Sequence, residues 1–424
     1  MSSIIMLVVF GLCIFLTFPI AAGLGIGTAV ALIFDKIPLF MMVQRMMTQI
    51  NSFTVMSILF FILSGEIMCK GTMTEKLINF AESIVGHIRG GLAVSAGVAA
   101  GFFSALSGSS AATCASIGNI MIDKMSQRGY PKEFSTSCIA SAGITGIVIP
   151  PSVTFVVYGV VTGTSVKKLF AGGLAPGLLM AGSMCVLSYF ISKKKGYGYV
   201  QKFTFANFGK SFKEGLFVLM MPVIILGGIY SGIFTPNEAS VVAVVYAYIV
   251  TKFIDKCLNW KMMKEVLVKS IVTTAVIIFV MQTAAGFSWV LTNARIPHML
   301  GTLSANLGAT KITFLLAVNV LLLIAGSLVT GSGAVAILAP ILLPPAMGFG
   351  IDPVFLGVLM IVNLSIGYIT PPVGIDLFIA SSIGKVPMEK VIKNIMPYLI
   401  LLLVILVFVT YIPSFSMFIP NMIK

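Results

Sequence analysis

Charge is what this sequence has least of. Charged residues fill 9% of its 424 positions, and 13 of them are acidic; a soluble domain carries about a quarter charged residues. With 58% hydrophobic residues besides, the chain does not read as a soluble domain. Histidine is almost missing, with His87 and His298 alone, and no HExxH occurs, which argues against a zinc centre. The six cysteines, at 13, 69, 114, 138, 185 and 257, lie in or beside apolar runs without CxxC spacing. They read as small buried side chains, not as a disulfide framework or metal ligands. No Walker sequence is present, so nothing points to nucleotide hydrolysis. No nucleophile stands with a base, and no metal set appears, so the chain is not expected to be an enzyme or to need a cofactor. A basic start followed by a small-residue cleavage site is also lacking, and residues 4–9 are expected to belong to the mature protein.

What is present is apolar length. Runs such as 4–34, 217–234, 271–291 and 398–412 are long enough to span, or nearly span, hydrocarbon, which gives an all-α polytopic membrane protein. The net charge of +14 does not indicate nucleic acid, because 20 of the 27 Lys and Arg lie in the short connections 70–89, 124–132, 193–213, 252–269 and 385–393. Threaded as below, these connections share one side, which should be cytoplasmic, with both termini on the other.

In order, 3–34 is interrupted at Pro19 and reads as two short helices. Residues 36–50 suit an amphipathic surface helix, 52–68 a span, and 70–89 a polar amphipathic segment. Residues 90–126 form two helices with Ser107-Gly108-Ser109-Ser110 between them. Both ends are basic, which makes them a re-entrant hairpin. Residues 134–163 are a span broken at Gly146–Pro151, because prolines remove backbone donors and clash with the preceding turn. Residues 169–192 are an unbroken span. After a cytoplasmic linker, 196–213, the order repeats: spans at 215–230 and 239–250, a span at 270–293, and a polar patch at 295–311. A second hairpin at 311–349 carries Thr330–Gly333 at its tip, followed by a broken span at 354–383 and a last span at 391–412.

The repeat is visible by subtraction. An offset of 221 carries Pro150-Pro151 to Pro371-Pro372, Gly65 to Gly286, Gly146 to Gly367, Gly163 to Gly384 and Pro176 to Pro397. The expected architecture is an inverted repeat, 1–195 and 214–424, each half holding one re-entrant helical hairpin and one broken transmembrane helix. Paired discontinuous helices point to a substrate and ion site near the bilayer midplane. The alternative is a structural bundle of kinked helices.

A broken helix frees carbonyls that ligate cations, and the tip of a hairpin is expected to lack partners for its own backbone. The first candidate sodium site is therefore Ser107 and Ser110 facing Gly146, Ile149 and Pro150. The second is Thr330, Gly331 and Ser332 facing Gly367 and Thr370. The alternative for each hydroxyl is helix packing. An acidic substrate is expected at Ser107, Ser109 and Ser152, with Arg295 reaching a carboxylate through its planar fork or else snorkelling to the interface. Glu66, Glu238 and Asp376 are expected to cap helices or pair with cations.

Several motifs then carry a resemblance. Phe61-Ile62-Leu63-Ser64-Gly65, Ser107-Gly108-Ser109-Ser110-Ala111-Ala112-Thr113, Gly129-Tyr130, Ile149-Pro150-Pro151-Ser152, Thr235-Pro236-Asn237-Glu238-Ala239 and Thr370-Pro371-Pro372-Val373-Gly374 stand in the order of the large membrane subunit of tripartite ATP-independent periplasmic (TRAP) transporters. The chain resembles that family over nearly its whole length. The resemblance implies sodium-driven import of an organic acid (sialic acid, a C4-dicarboxylate or a sugar acid) across the bacterial inner membrane. It further implies a periplasmic binding protein, a small membrane subunit and an elevator-like movement. Two positions depart from the family's usual pattern: Thr330, where an acidic residue is common, and Asp376, where asparagine is. The alternatives are a sodium/dicarboxylate carrier that works without a binding protein, and a non-coupled channel.

Overall fold

The computed structural model describes residues 1–70, 72–199, 203–297, 299 and 310–423, and all regular structure among them is helical. Seven described helices are long and apolar enough to cross a membrane, or up to eight if the bent pair Phe40–Ile50 and Val55–Cys69 is one span. The polytopic all-α class expected from composition is what the chain forms.

Helices α1 (Ser2–Phe15) and α2 (Ile20–Phe34) are separate. They fold back on each other: Gly23 faces Cys13 and Phe10, while Gly27, one turn on, faces Met6. The Pro19 break is thus an antiparallel turn. Helix α3 (Phe40–Ile50) buries none of its residues, as its surface character required, and Arg45 lies 5.6 Å from the centre of the Trp289 ring. Helices α4 (Val55–Cys69) and α5 (Met73–Val85) follow.

The first helical hairpin is α6 (Gly91–Ser107) and α7 (Ser110–Gln127), within a residue or two of the expected limits. The first broken span consists of α8 (Lys132–Gly143), a 3₁₀ turn at Ile144–Ile147 and α9 (Val153–Thr162). Pro150-Pro151 is a cis peptide. Ten residues of α9 rise only about 15 Å, half the thickness of hydrocarbon, so neither part crosses alone. Helix α10 (Val166–Lys195) is continuous.

Helix α11 (Phe205–Tyr230) starts well inside the expected linker 196–213. Its first turns repeat apolar residues at helical spacing, and Phe208 and Phe212 pack on Phe80 of α5, so this stretch folds as helix. Helix α12 (Pro236–Ile249) opens on a capping box in which Thr235 Oγ1 accepts from the Glu238 amide and Glu238 accepts from the Thr235 amide. Glu238 is therefore a cap. Helix α13 (Trp260–Asn293) begins ten residues ahead of the expected span, because Asn259 caps it. The polar patch at 295–311, with His298, lies mostly outside the described residues.

The second hairpin is α14 (Lys311–Leu328) and α15 (Gly331–Gly348), and the second broken span α16 (Pro353–Gly367) and α17 (Ile375–Gly384). Pro371-Pro372 is also cis. The chain closes with α18 (Met388–Tyr411) and a short α19 (Pro413–Met422) that the periodicity had not suggested.

The basic connections meet at one end of the molecule. Lys70 pairs with Glu265 at 3.3 Å, and Lys76 with Asp255, whose side chain is buried. Lys124 and Arg128 both hold Glu82, at 2.6 and 2.7 Å, and Lys390 pairs with Glu133. Asn207, Lys210 and Glu214 line a cleft together with Glu82, Lys124 and Arg128. Segments as far apart in the chain as Lys70 and Lys390 thus form one polar cap in space.

Candidate substrate and cation site

The four helix breaks converge. A cavity of about 410 Å³ is lined by Ser107–Ala112 from the first hairpin tip, Thr330 and Ser332 from the second, Ile147, Val153 and Thr154 from the first broken span, and Tyr368 and Ile375 from the second. One wall is α4, with Gly65 and Glu66; another is α13, with Thr273 and Val280. The first residues of α7, α9, α15 or their caps, and of α17, therefore all face one space.

Each hairpin is locked to its own broken span by close backbone contact. At the first tip, Gly108 has φ +58°, and a Cβ there would come within 2.7 Å of the Pro151 carbonyl oxygen. A Cβ on Gly146 would come within 2.6 Å of the Ser109 carbonyl carbon. Only glycine allows that approach.

The tip does not lack partners for its own backbone, as the sequence had suggested. The Ser109 carbonyl accepts from the Thr113 amide at 3.0 Å, from Thr113 Oγ1 at 2.9 Å and from Ser107 Oγ at 3.2 Å. Helix α7 starts immediately, with Ser109 as its cap, and its first turn supplies the donors. Ser107 Oγ and Thr113 Oγ1 lie 2.9 Å apart. The result is a knot of hydroxyl and carbonyl oxygens at the tip, backed by Ser104 and Thr145, whose hydroxyls are 2.8 Å apart.

The other expected residues divide. Ile149 and Pro150 are buried in the first break. Ser152 is fully buried and donates to the Ile147 carbonyl at 2.7 Å, so its hydroxyl is occupied within the break. Gly331 donates its amide to Tyr368 Oη. Thr330 and Ser332 line the cavity, while Thr370 Oγ1 donates to the Ile366 carbonyl at 2.8 Å. Gly367 packs on the second hairpin near Gly326. Arg295 is exposed just past α13, with φ +55°, and is not among the lining residues. Among the described residues, no lysine or arginine lines the cavity, and Glu66, paired with Lys269 at 2.8 Å, is its one carboxylate.

Asp376, in the first turn of α17, is not held by a cation. It is fully buried. Ser110 Oγ donates to its Oδ2, and Cys114 Sγ lies 3.7 Å from its main-chain oxygen. The helix N-terminus beneath it offers about 1 kcal/mol, well short of the several kcal/mol that burying an ion costs. Of the three acids expected to cap or pair, Glu66 pairs and Glu238 caps. Asp376 instead links the two halves of the chain, through a serine.

Residues 2–415 match the profile described as the tripartite ATP-independent periplasmic transporter DctM component. The chain belongs to that family. It is 44% identical over 369 residues to a Pseudomonas aeruginosa protein named C4-dicarboxylate TRAP transporter large permease protein DctM, covering 87% of this chain and 86% of that one. It is 37% identical to the sialic acid TRAP transporter large permease protein SiaM of Vibrio cholerae, with 89% of each covered. With the isethionate TRAP transporter permease protein DctMQ of Oleidesulfovibrio alaskensis it shares 40% identity over 96% of its own length and 65% of the relative's. A crystal structure described as the Alcanivorax borkumensis YdaH transporter with an unusual topology shares the fold, at a TM-score of 0.63, 16% identity and 88% coverage of each chain.

Within this TRAP permease, sequence reasoning missed Ser104, Thr113, Thr145 and Tyr368. A signal existed for the first two: they sit three residues before Ser107 and three after Ser110, so helical spacing puts them on the tip's own face. Tyr368 had only its position beside a helix break, where a buried phenol needs a partner.

Proposed function

We propose that this TRAP permease imports a small organic anion, of the C4-dicarboxylate or sialic acid kind, driven by sodium. The observation that carries this reading is the convergence of half-helix starts from α7, α9, α15 and α17 on one cavity without lysine or arginine. Helix N-termini present free amides and positive potential, and so bind anions without a cationic side chain. Hydroxyls of Ser109, Thr330 and Ser332 at the same surface supply directional donors. Ser107 lines the same cavity, Ser152 belongs to the frame around it, and Arg295 stands as an outlying candidate for the carboxylate.

Sodium is assigned to the two hairpin–break contacts: Ser107 and Ser110 with Gly146, Ile149 and Pro150, and Thr330, Gly331 and Ser332 with Gly367 and Thr370. The cluster of oxygens at the first tip supports this assignment, since a hard cation takes oxygen ligands. The constant offset of 221, and the backbone contact of Gly146 and of Gly367 each with its own hairpin, support a duplicated unit, 1–195 and 214–424, in which the hairpins re-enter the membrane. Elevator-like movement of the hairpins with their broken spans follows from that reading. A small membrane subunit and a periplasmic binding protein complete the inner-membrane transporter; the fused relative, named DctMQ, supports the first of these.

The test is uptake by sealed vesicles holding this chain with its small subunit. Labelled succinate and labelled sialic acid are presented with and without the binding protein. Accumulation of one of them under an inward sodium gradient, only with binding protein present, is expected. Equal uptake in potassium buffer, or uptake without the binding protein, would overturn the corresponding part.

A further inference from the structure

We infer that Asp376 is an anionic ligand of the cation at the first hairpin tip, so that this site is built from both halves of the chain. The inference deepens the sodium coupling proposed above and rests on it. Asp376 is fully buried, and Oδ1 has no hydrogen-bond partner among the described residues. Its other oxygen, Oδ2, accepts from Ser110 Oγ. Ser110 is itself a member of that site, with its amide nitrogen 2.7 Å from where a Cβ on Gly146 would stand. Gly143 of the first broken span faces the same carboxylate: a Cβ there would lie 3.1 Å from Oδ2. The carboxylate thus stands where the first hairpin, the first broken span and the second broken span meet.

A buried carboxylate with an open oxygen calls for one positive charge, and no cation among the described residues supplies it. The titratable groups facing Asp376 are Cys114 from α7 and Tyr368 from its own break, whose main-chain oxygen accepts the Asp376 amide. The charged residues of the helices packed on α17 lie elsewhere. Asp123 and Lys124 are near the far end of α7, Lys132 and Glu133 at the far end of α8, and Glu389, Lys390 and Lys393 in the first turns of α18. Lys124, Lys132 and Lys390 are engaged there by Glu82, Asp123 and Glu133. An acceptor oxygen without a donor suits a sodium ion.

Two measurements test this on the complete transporter: sodium dependence of uptake, and sodium-dependent thermal stabilisation of the purified chain in detergent, with potassium as control. Asp376→Asn keeps shape and one acceptor oxygen but removes the charge. It should raise half-saturating sodium about tenfold, since ligand charge sets affinity at oxygen sites. An Asn variant that assembles normally and keeps the unaltered half-saturating sodium overturns the inference. So does an Asp376→Glu variant, with the charge kept, that binds sodium no better than the Asn variant. Absence of any sodium effect in the unaltered protein would instead overturn the sodium coupling itself, and this inference with it.

Discussion

Gly367 lies so close to Gly326 that a Cβ on it would come within 2.6 Å of the Gly326 carbonyl carbon. The contact joins the second broken span to the second hairpin just below its tip, where the Gly374 amide also donates to the Ser327 carbonyl at 3.2 Å. Gly146 also packs its backbone on the first hairpin, though at Ser109, the cap of α7, which the offset of 221 matches to Thr330 and not to Gly326. Both are backbone-to-backbone contacts, so no side chain can move aside to relieve an added methyl group.

Gly146→Ala and Gly367→Ala should each lower thermal stability in detergent and cut uptake at least tenfold, since forced overpacking costs about 1–3 kcal/mol. Gly182→Ala is the control: nothing lies within 4 Å of a Cβ there, and alanine favours a helix. Wild-type uptake by Gly367→Ala would show that hairpin and break are loosely joined.

The Ser107–Thr113 pair predicts a separable effect on the cation. Ser107→Ala removes one oxygen from the knot but leaves the Thr113 bonds to the Ser109 carbonyl in place. Half-saturating sodium should rise several-fold while expression and assembly with the small subunit hold. An unchanged sodium dependence in Ser107→Ala and Thr113→Ala alike would assign these hydroxyls to packing.

Much of this was legible before any coordinates. The helix breaks follow from Pro150-Pro151 and Pro371-Pro372, because proline removes a donor wherever it stands, and the limits of the first hairpin follow from the basic residues at its two ends, Arg89 and Lys124. Legibility failed where the cause was tertiary. Helix α13 begins early because Asn259 happens to cap it, and 205–213 is helical because Phe80 is there to receive Phe208 and Phe212. Asp376 looked like a cap by its place in the chain. Its partner, Ser110, is 266 residues away, a distance no local pattern spans.

Arg295 gives a prediction by its placement. It is exposed and does not line the cavity, and a long cationic side chain at a span's end reaches for the interface. Arg295→Ala should therefore retain the half-saturating substrate concentration within about threefold, or under about 0.7 kcal/mol. Severe loss in both Arg295→Ala and Arg295→Lys, with normal expression, would show that the guanidinium reaches the substrate in another conformation of the transport cycle.

The polar end of the molecule makes the membrane orientation testable. Four basic connections are tied there by ion pairs (Lys70–Glu265, Lys76–Asp255, Lys124 and Arg128 with Glu82, Lys390–Glu133), and the fifth lines the cleft beside Glu82. They form a single surface, so they must share one side of the bilayer, and positive charge favours the cytoplasm. Single cysteines placed at Asp123, Lys210 and Lys261, in a chain whose native cysteines are replaced, should all react with a membrane-impermeant maleimide in inside-out vesicles and resist it in right-side-out ones. A cysteine at Asn237, in the first turn of α12, should do the reverse. Mixed labelling among the first three would break the threading of the two halves, because no rigid rotation moves one connection across the membrane without the ion pairs that bind it to the rest.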